Sequence, residues 1–209
     1  TSEEVARAFP GVPIVQSGGH GNVVTEVDAS PRIVVATPGA EPRAQGGYAA
    51  ALLLDCFLAT ARAELAAAPQ ALDRWLTALS LVRPASEGGV ALLLGDPEPT
   101  LAQACVRWDP AGWAERELDE RALLRFPPVW RMAALDGAPR AVADAAKDLA
   151  ERIECEVLGP VQIEEGNRML ARVPRAAGSA LSAALGAEQR ARSARKEEVV
   201  RVRIDPADL

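Results

Sequence analysis

The sequence predicts an α/β chain in two parts, a parallel-sheet lobe followed by an α+β domain of split βαβ form. Three observations carry this prediction. In the first half, near-continuous apolar runs ("VPIVQ", "RIVVAT", "YAAALLLD", "GGVALLLGD") alternate with helix-like stretches. Strands buried on both faces of a helix-covered parallel sheet read this way. After Pro127-Pro128 the rhythm changes to the period of two that marks half-buried strands. The elements beyond those prolines then come in the order β-α-β-β-α-β.

Taken in order, "TSEEVARAF" reads as the start of a helix; with no Met and no signal-peptide pattern, it also reads as the cut end of something longer. Further helices are expected over Cys56–Ala67, Gln70–Leu81 and Pro99–Trp108. "RWDPAGWAERELDERALLRFPP" is expected to form one connecting helix that stops at the prolines. This gives a first domain over 1–110, a connector over 111–128 and a second domain over 129–209. In that second domain "VWRMAALDG" alternates as a strand. Pro139 then opens a helix that places Val142, Ala146, Leu149 and Ile153 on one face. "EVLGPVQIE" and "RMLARVP" form two strands joined through "EEGN", Ser179 to about Lys196 is helical, and "VVRVRID" ends the chain as a strand.

Hydrophobic content of 49% with 25% charged residues describes an ordinary globular chain. No apolar run approaches the roughly 20 residues that a membrane-spanning helix needs, so no membrane partner is expected. Cys56, Cys105 and Cys155 are widely spaced and accompanied by a single histidine. A tetrahedral zinc site needs clustered ligands, so no metal site is expected in this chain, and isolated reduced thiols fit a cytoplasmic protein.

Charge is unevenly spread. Between Arg168 and Arg203 nine basic residues face three acids, a net of +6, which leaves −12 for the remainder of a chain whose total is −6. A basic end on an acidic body points to an anionic partner such as nucleic acid. The alternation sharpens this expectation. In the last strand Val200, Val202 and Ile204 point inward, with Arg201 and Arg203 outward. In the third, Met169, Ala171 and Val173 point inward, with Arg168, Leu170 and Arg172 outward; in the first, Trp130, Met132 and Ala134 point inward, with Arg131 outward. In the usual 4-1-3-2 order of this fold these strands are neighbours. Arg131, Arg168, Arg172, Arg201 and Arg203 then share the helix-free sheet face. They serve either as a phosphate-contacting surface or as solvated and internally docked cations. With no stacking aromatics there, contact with DNA would be electrostatic and indifferent to sequence.

At these residues the chain resembles the PriA family, the primosomal protein N-prime or replication restart proteins, of actinobacterial type. "RWDPAGWAERELDERALLRFPPVWRMAAL" resembles the segment that joins the second helicase lobe to the C-terminal domain, and "EVLGPV", "RMLARVP" and "VVRVRIDP" follow in the family's order. The resemblance implies a partial RecA-like lobe over 1–110 and a ferredoxin- or S10-like domain over 129–209. It implies work at stalled forks, on forked or single-stranded DNA, in a DNA helicase family that uses ATP and zinc through segments upstream of this chain. Active members carry a "GTQM.AKGHDF"-like motif and a "Q.AGRAGR"-like motif. Here those places read "ATPGAEPRAQGG" and "LTALSLVRPASEGG", leaving Thr37 and Arg83 as remnants of nucleotide coupling. The lobe is therefore expected to be degenerate and without ATP-driven unwinding of its own, and no catalytic residue is assigned. The alternative is a lobe that works as part of a helicase with unusual motifs.

Other candidates are weaker. His20, in "GGHGN", lacks a nucleophile's company and reads as a surface loop residue. Asp55 ends a strand where parallel sheets often carry function, yet its partners are missing. Trp108, Trp113 and Trp130 read as packing residues at the domain junction. Arg175 precedes a helix start, and by the resemblance that region meets single-stranded DNA-binding protein.

Overall fold

The computed structural model describes residues 2–19, 21–62 and 64–206; His20 lies outside them. The chain divides into two compact units, Thr1–Arg62 with Ala66–Pro110, and Ala63–Leu65 with Ala111–Leu209.

In the first unit α1 (Ser2–Ala8) leads into β1 (Ile14–Ser17), the short β2 (Glu26–Val27), β3 (Ile33–Ala36), the short β4 (Arg43–Ala44) and β5 (Ala50–Leu53). Then come α2 (Cys56–Thr60), α3 (Ala67–Leu79), β6 (Val90–Leu93) and α4 (Pro99–Arg107). The strand pairing is parallel: β1 with β3, β2 with β4, and β5 with β6. The single sheet expected from the apolar runs is replaced by three separate pairs. On β5 and β6 the runs are apolar on both faces but only one face is covered. Leu53 and Leu93 are half-buried, whereas Leu52 and Leu92, opposite each other in the register, are 59% and 48% exposed.

Helix boundaries follow local chemistry. The expected helix over Cys56–Ala67 stops at Thr60, and α3 starts at Ala67 because Pro69 is tolerated within a first turn. At α4 the Glu98 carboxylate accepts the N–H groups of Thr100 (3.0 Å) and Leu101 (2.8 Å), while Pro99 occupies the first helical position. The continuous connecting helix is not formed. Trp108 caps α4 in a left-handed conformation, and α5 (Pro110–Leu124) begins afresh at a residue with no N–H to donate.

The second unit holds α5, β7 (Trp130–Gly137), α6 (Pro139–Arg152), β8 (Glu156–Ile163), β9 (Gly166–Pro174), α7 (Gly178–Arg195) and β10 (Arg201–Ile204). Its antiparallel sheet has the order β10-β7-β9-β8, the 4-1-3-2 arrangement. Ala141, Val142, Ala145 and Leu149 of α6 and Leu181 and Leu185 of α7 pack on Ala133, Leu135, Ala171, Val173 and Val200 of the sheet. The β8–β9 turn closes against β7 only because Gly166 has no side chain, since a Cβ there would stand 2.2 Å from the Gly137 carbonyl oxygen. Away from the core, α7 buries a charged pair. Glu188 lies 3.3 Å from Arg152, and Arg192 lies 3.2 Å from Glu197 while donating to the Glu198 carbonyl at 3.0 Å. Among the described residues no helix is long and apolar enough to cross a membrane.

Leu149 is fully buried where α6 meets the sheet. Leu149→Ala is expected to cost about 2–5 kcal/mol of stability, read as a lowered urea midpoint with an unchanged slope.

Candidate nucleic-acid interface

The helix-free face of the sheet is set by register. β9 places Arg168, Leu170 and Arg172 opposite Asp136, Ala134 and Met132 of β7, and β10 places Arg201 and Arg203 opposite Asp136 and Ala134. Cross-strand partners share a face, so Arg168, Arg172, Arg201 and Arg203 do lie together. Arg131 does not. It pairs with Val173, a helix-side core residue, and its side chain reaches Gly178 at the start of α7 and Asp205, 2.6 Å away. The inward assignment of Met132 and Ala134 is one residue out of phase. Ala133 and Leu135 face the helices, while Met132 and Ala134 are fully buried on the opposite side without joining the helix-side core.

Three of the four arginines are held by carboxylates. Arg168 grips Asp136 with two parallel bonds, Nε to Oδ1 at 2.8 Å and Nη2 to Oδ2 at 3.0 Å, and Arg203 donates to the same Oδ2 at 3.0 Å. Arg172 grips Glu156 with bonds of 2.9 and 2.8 Å, and Arg125 adds a third at 2.9 Å while lying 5.2 Å over the Trp130 ring. Bidentate guanidinium–carboxylate pairs of this kind are the strong ones. The hydrogen bonds from Arg172 and then Arg125 lower the Glu156 carboxyl from the usual 4.5 to about 2, against a smaller opposing effect of burial. The hydrogen bonds from Arg168, with the charge of Arg203 behind it, hold Asp136 below the usual carboxylate range in spite of partial burial.

The two clusters differ in what remains free. Arg172 spends its third nitrogen on the Leu124 carbonyl at 3.0 Å, capping the C-terminus of α5, so it acts as a clamp between helix and sheet. At the other end, Asp136, Arg168, Arg201 and Arg203 line an open depression of about 660 Å³ with Glu164 and Glu165 of the β8–β9 turn. Arg201 is exposed there and forms no ion pair among the described residues. Two guanidiniums share one carboxylate at this end, beside an exposed third guanidinium and the two glutamates of the turn. Sequence reasoning missed Asp136 and Glu156 as partners. The register of the 4-1-3-2 order carried that signal, since it sets Asp136 opposite both Arg168 and Arg201 and Glu156 opposite Arg172.

Arg175, exposed before α7, donates to the Pro128 carbonyl at 3.2 Å. It lines a shallow hollow of about 360 Å³ with Arg131, Gly178, Ser179 and Ser182. In the first unit the loop over 35–47 folds around its own carboxylate. The Gly39 N–H is directed at both oxygens of Glu41, 3.1 and 2.9 Å away, and the Thr37 N–H bonds the Ser17 carbonyl at 3.1 Å. Thr37 also packs on Gly18, where a Cβ would stand 2.1 Å from its Oγ1. Arg83 bonds through its backbone to Tyr48, and its buried Nε has no hydrogen-bond partner among the described residues. Asp55 adopts a left-handed conformation before α2 and makes no side-chain cap. Burial pushes the Cys105 thiol up to about 11, so it is no thiolate at neutral pH. Among the described residues no group of three or more His, Cys, Asp or Glu is placed to hold a metal ion.

Residues 122–207 match the family model of the primosomal protein N C-terminal domain. Over its whole length the chain is 43% identical to a probable replication restart protein PriA of Mycobacterium leprae, covering 34% of that protein. It is 42% identical to proteins of the same description from Mycobacterium tuberculosis and Mycobacterium bovis, covering 35% of each. The chain is thus similar to the primosomal protein N C-terminal domain over residues 122–207 and spans about a third of the length of the curated relatives it matches.

The lowered Glu156 carboxyl sets the sign of an acid response. Its ionised form is favoured by folding, so the stabilisation is complete above the ordinary 4.5 and is lost as pH falls toward about 2. Glu156→Gln is expected to flatten the fall of the urea midpoint across that window. Arg172→Ala, which removes both the pair and the α5 cap, is expected to lower the urea midpoint at neutral pH in the same measurement.

Proposed function

We propose that this chain is the C-terminal part of a replication restart protein, in which the second unit contacts branched DNA through the open end of its helix-free sheet face. The observation that carries this reading is the exposed Arg201. It forms no ion pair among the described residues and lines the depression beside Arg168 and Arg203. A cation open to an outside anion therefore stands at the depression, which is the open end of the face. Backbone phosphates of forked or single-stranded DNA are the polyanion that such a surface meets in a restart protein, and the contact is electrostatic and independent of sequence. Arg172, consumed by its clamp, supports the face without touching DNA. The hollow at Arg175 and Arg131 faces a separate partner, single-stranded DNA-binding protein. A working place in the cytoplasm, with the nucleoid, follows from this role.

On the same reading the first unit is a scaffold that does not couple ATP to strand movement. Glu41 holds the Gly39 N–H that an anion would otherwise use, and Arg83 stands alone where a set of polar and basic residues senses phosphate in active helicases. ATP and zinc then belong to segments outside this chain. One observation favours a second reading, a lobe that works within a complete helicase: the buried Arg83 Nε without a partner is the kind of donor that a phosphate oxygen would satisfy. ATP-dependent strand separation by the full-length protein, abolished by Arg83→Ala, would establish that second reading in place of the first.

Fluorescence anisotropy with a forked DNA across a salt series tests the DNA surface. Arg201→Ala/Arg203→Ala is expected to weaken binding and to reduce the slope of log K against log salt by about one for each phosphate that is no longer neutralised. Arg131→Ala, on the helix side, is expected to leave both unchanged. Binding that the double variant retains in full would move DNA recognition away from this face.

A further inference from the structure

The depression on the sheet face is not uniformly basic. Its rim on the β8–β9 side is the hairpin tip, where Glu164 and Glu165 are both exposed and line the same hollow as Arg168, Arg201 and Arg203. Neither glutamate forms an ion pair with those arginines or with any other described residue. They are therefore not there to neutralise the arginines, as Asp136 is. The tip is also fixed in place, because Gly166 packs its backbone against the Gly137 carbonyl and leaves no room for a side chain between them. Two carboxylates without partners among the described residues thus stand at a set position on one side of the exposed Arg201 and its neighbours Arg168 and Arg203.

We propose that Glu164 and Glu165 are specificity-determining residues that make this face prefer the single-stranded arms of branched DNA to its duplex arms; the proposal rests on the reading of the face as phosphate-contacting. The physical reason is line charge. Duplex DNA carries about one phosphate per 1.7 Å of axis, counting both strands, and a single strand carries about half that density. A polyanion that reaches the arginines must bring its neighbouring phosphates past the acidic rim. The repulsion grows with the number of phosphates within a screening length of about 10 Å. A flexible single strand brings fewer and can bend the rest away. A stiff duplex cannot, so the rim penalises it more. The guanidiniums supply attraction to both forms and the hairpin tip discriminates between them.

The test compares Kd values of this chain for a fully single-stranded oligonucleotide and a blunt duplex of the same length, by anisotropy at low salt. The proteins are the unaltered chain, Glu164→Gln/Glu165→Gln and Arg201→Ala. Glutamine keeps the size of each side chain and removes only its charge. The expected result is tighter single-strand binding by the unaltered chain. In the glutamine variant duplex affinity rises by roughly threefold or more with little change for the single strand, so that the preference narrows. Equal tightening toward both probes, or no change toward either, overturns the proposal while leaving the DNA-contacting face intact if Arg201→Ala still weakens binding. Absence of binding to both probes, or binding that Arg201→Ala leaves untouched, overturns the face reading and this proposal with it. High salt supplies the internal control. A charge effect must fade there in step with overall binding, and a duplex preference in the glutamine variant that persists at high salt speaks for a shape effect and against the rim.

Discussion

The sheet of the second unit depends on one kind of contact, a carboxylate held between two guanidiniums. Asp136 and Glu156 each occupy that position, one on β7 and one on β8. Without them the face opposite the helices would set Arg168, Arg172 and Arg203 side by side in a partly buried layer over Met132 and Ala134, and like charges so placed repel. With them, strand-to-strand register is fixed by paired side chains as well as by the backbone ladder. Asp136 joins β7 to β9 and β10, and the Glu156 cluster joins β8 and β9 to the end of α5. The helices need cover only one side, and the other can remain open.

That division of labour separates stability from recognition along a single face. The Glu156 end is closed, since its arginines are engaged by the carboxylate, a helix terminus and an aromatic ring. The Asp136 end is open, and its remaining cations look into the depression. A similar economy operates in the first unit, where Glu41 satisfies a loop N–H from within the chain. In both places an internal carboxylate takes the position that an external anion would take. The difference lies in what is left open: the loop N–H meets its own acid, whereas at the sheet Arg201 stays exposed and forms no ion pair among the described residues.

Much of the second unit was legible in the sequence because its patterns are redundant. Pro139 marks the start of α6, the apolar stripe of that helix repeats at helical spacing, and β9 and β10 alternate arginine with apolar residues so cleanly that their outward faces are unambiguous. β7 is different. "WRMAALDG" is buried on both sides, so a period of two has no phase to report, and its two charged residues, Arg131 and Asp136, fall on opposite faces. Using Arg131 as the outward marker selected the wrong one. In the first unit, parallel pairing was readable from the apolar runs, but their number of partners was not. A leucine at position 52 looks the same whether its face is covered or bare. The break at Trp108–Pro110 was visible as an Asp-Pro step and was overridden by the helical composition on either side of it.

A carboxylate with two partners is also a joint with a spare. When a change at position 168 or 203 removes one guanidinium, Asp136 keeps the other and no buried charge is stranded. A change at Asp136 removes the acceptor that both guanidiniums share, which is the costlier event for a partly buried group. Among descendants of this sequence, drift should therefore be tolerated at the arginines one at a time and resisted at the aspartate. The basic residues of this face can be traded as its nucleic-acid partner changes, while the acid that seats them stays where it is.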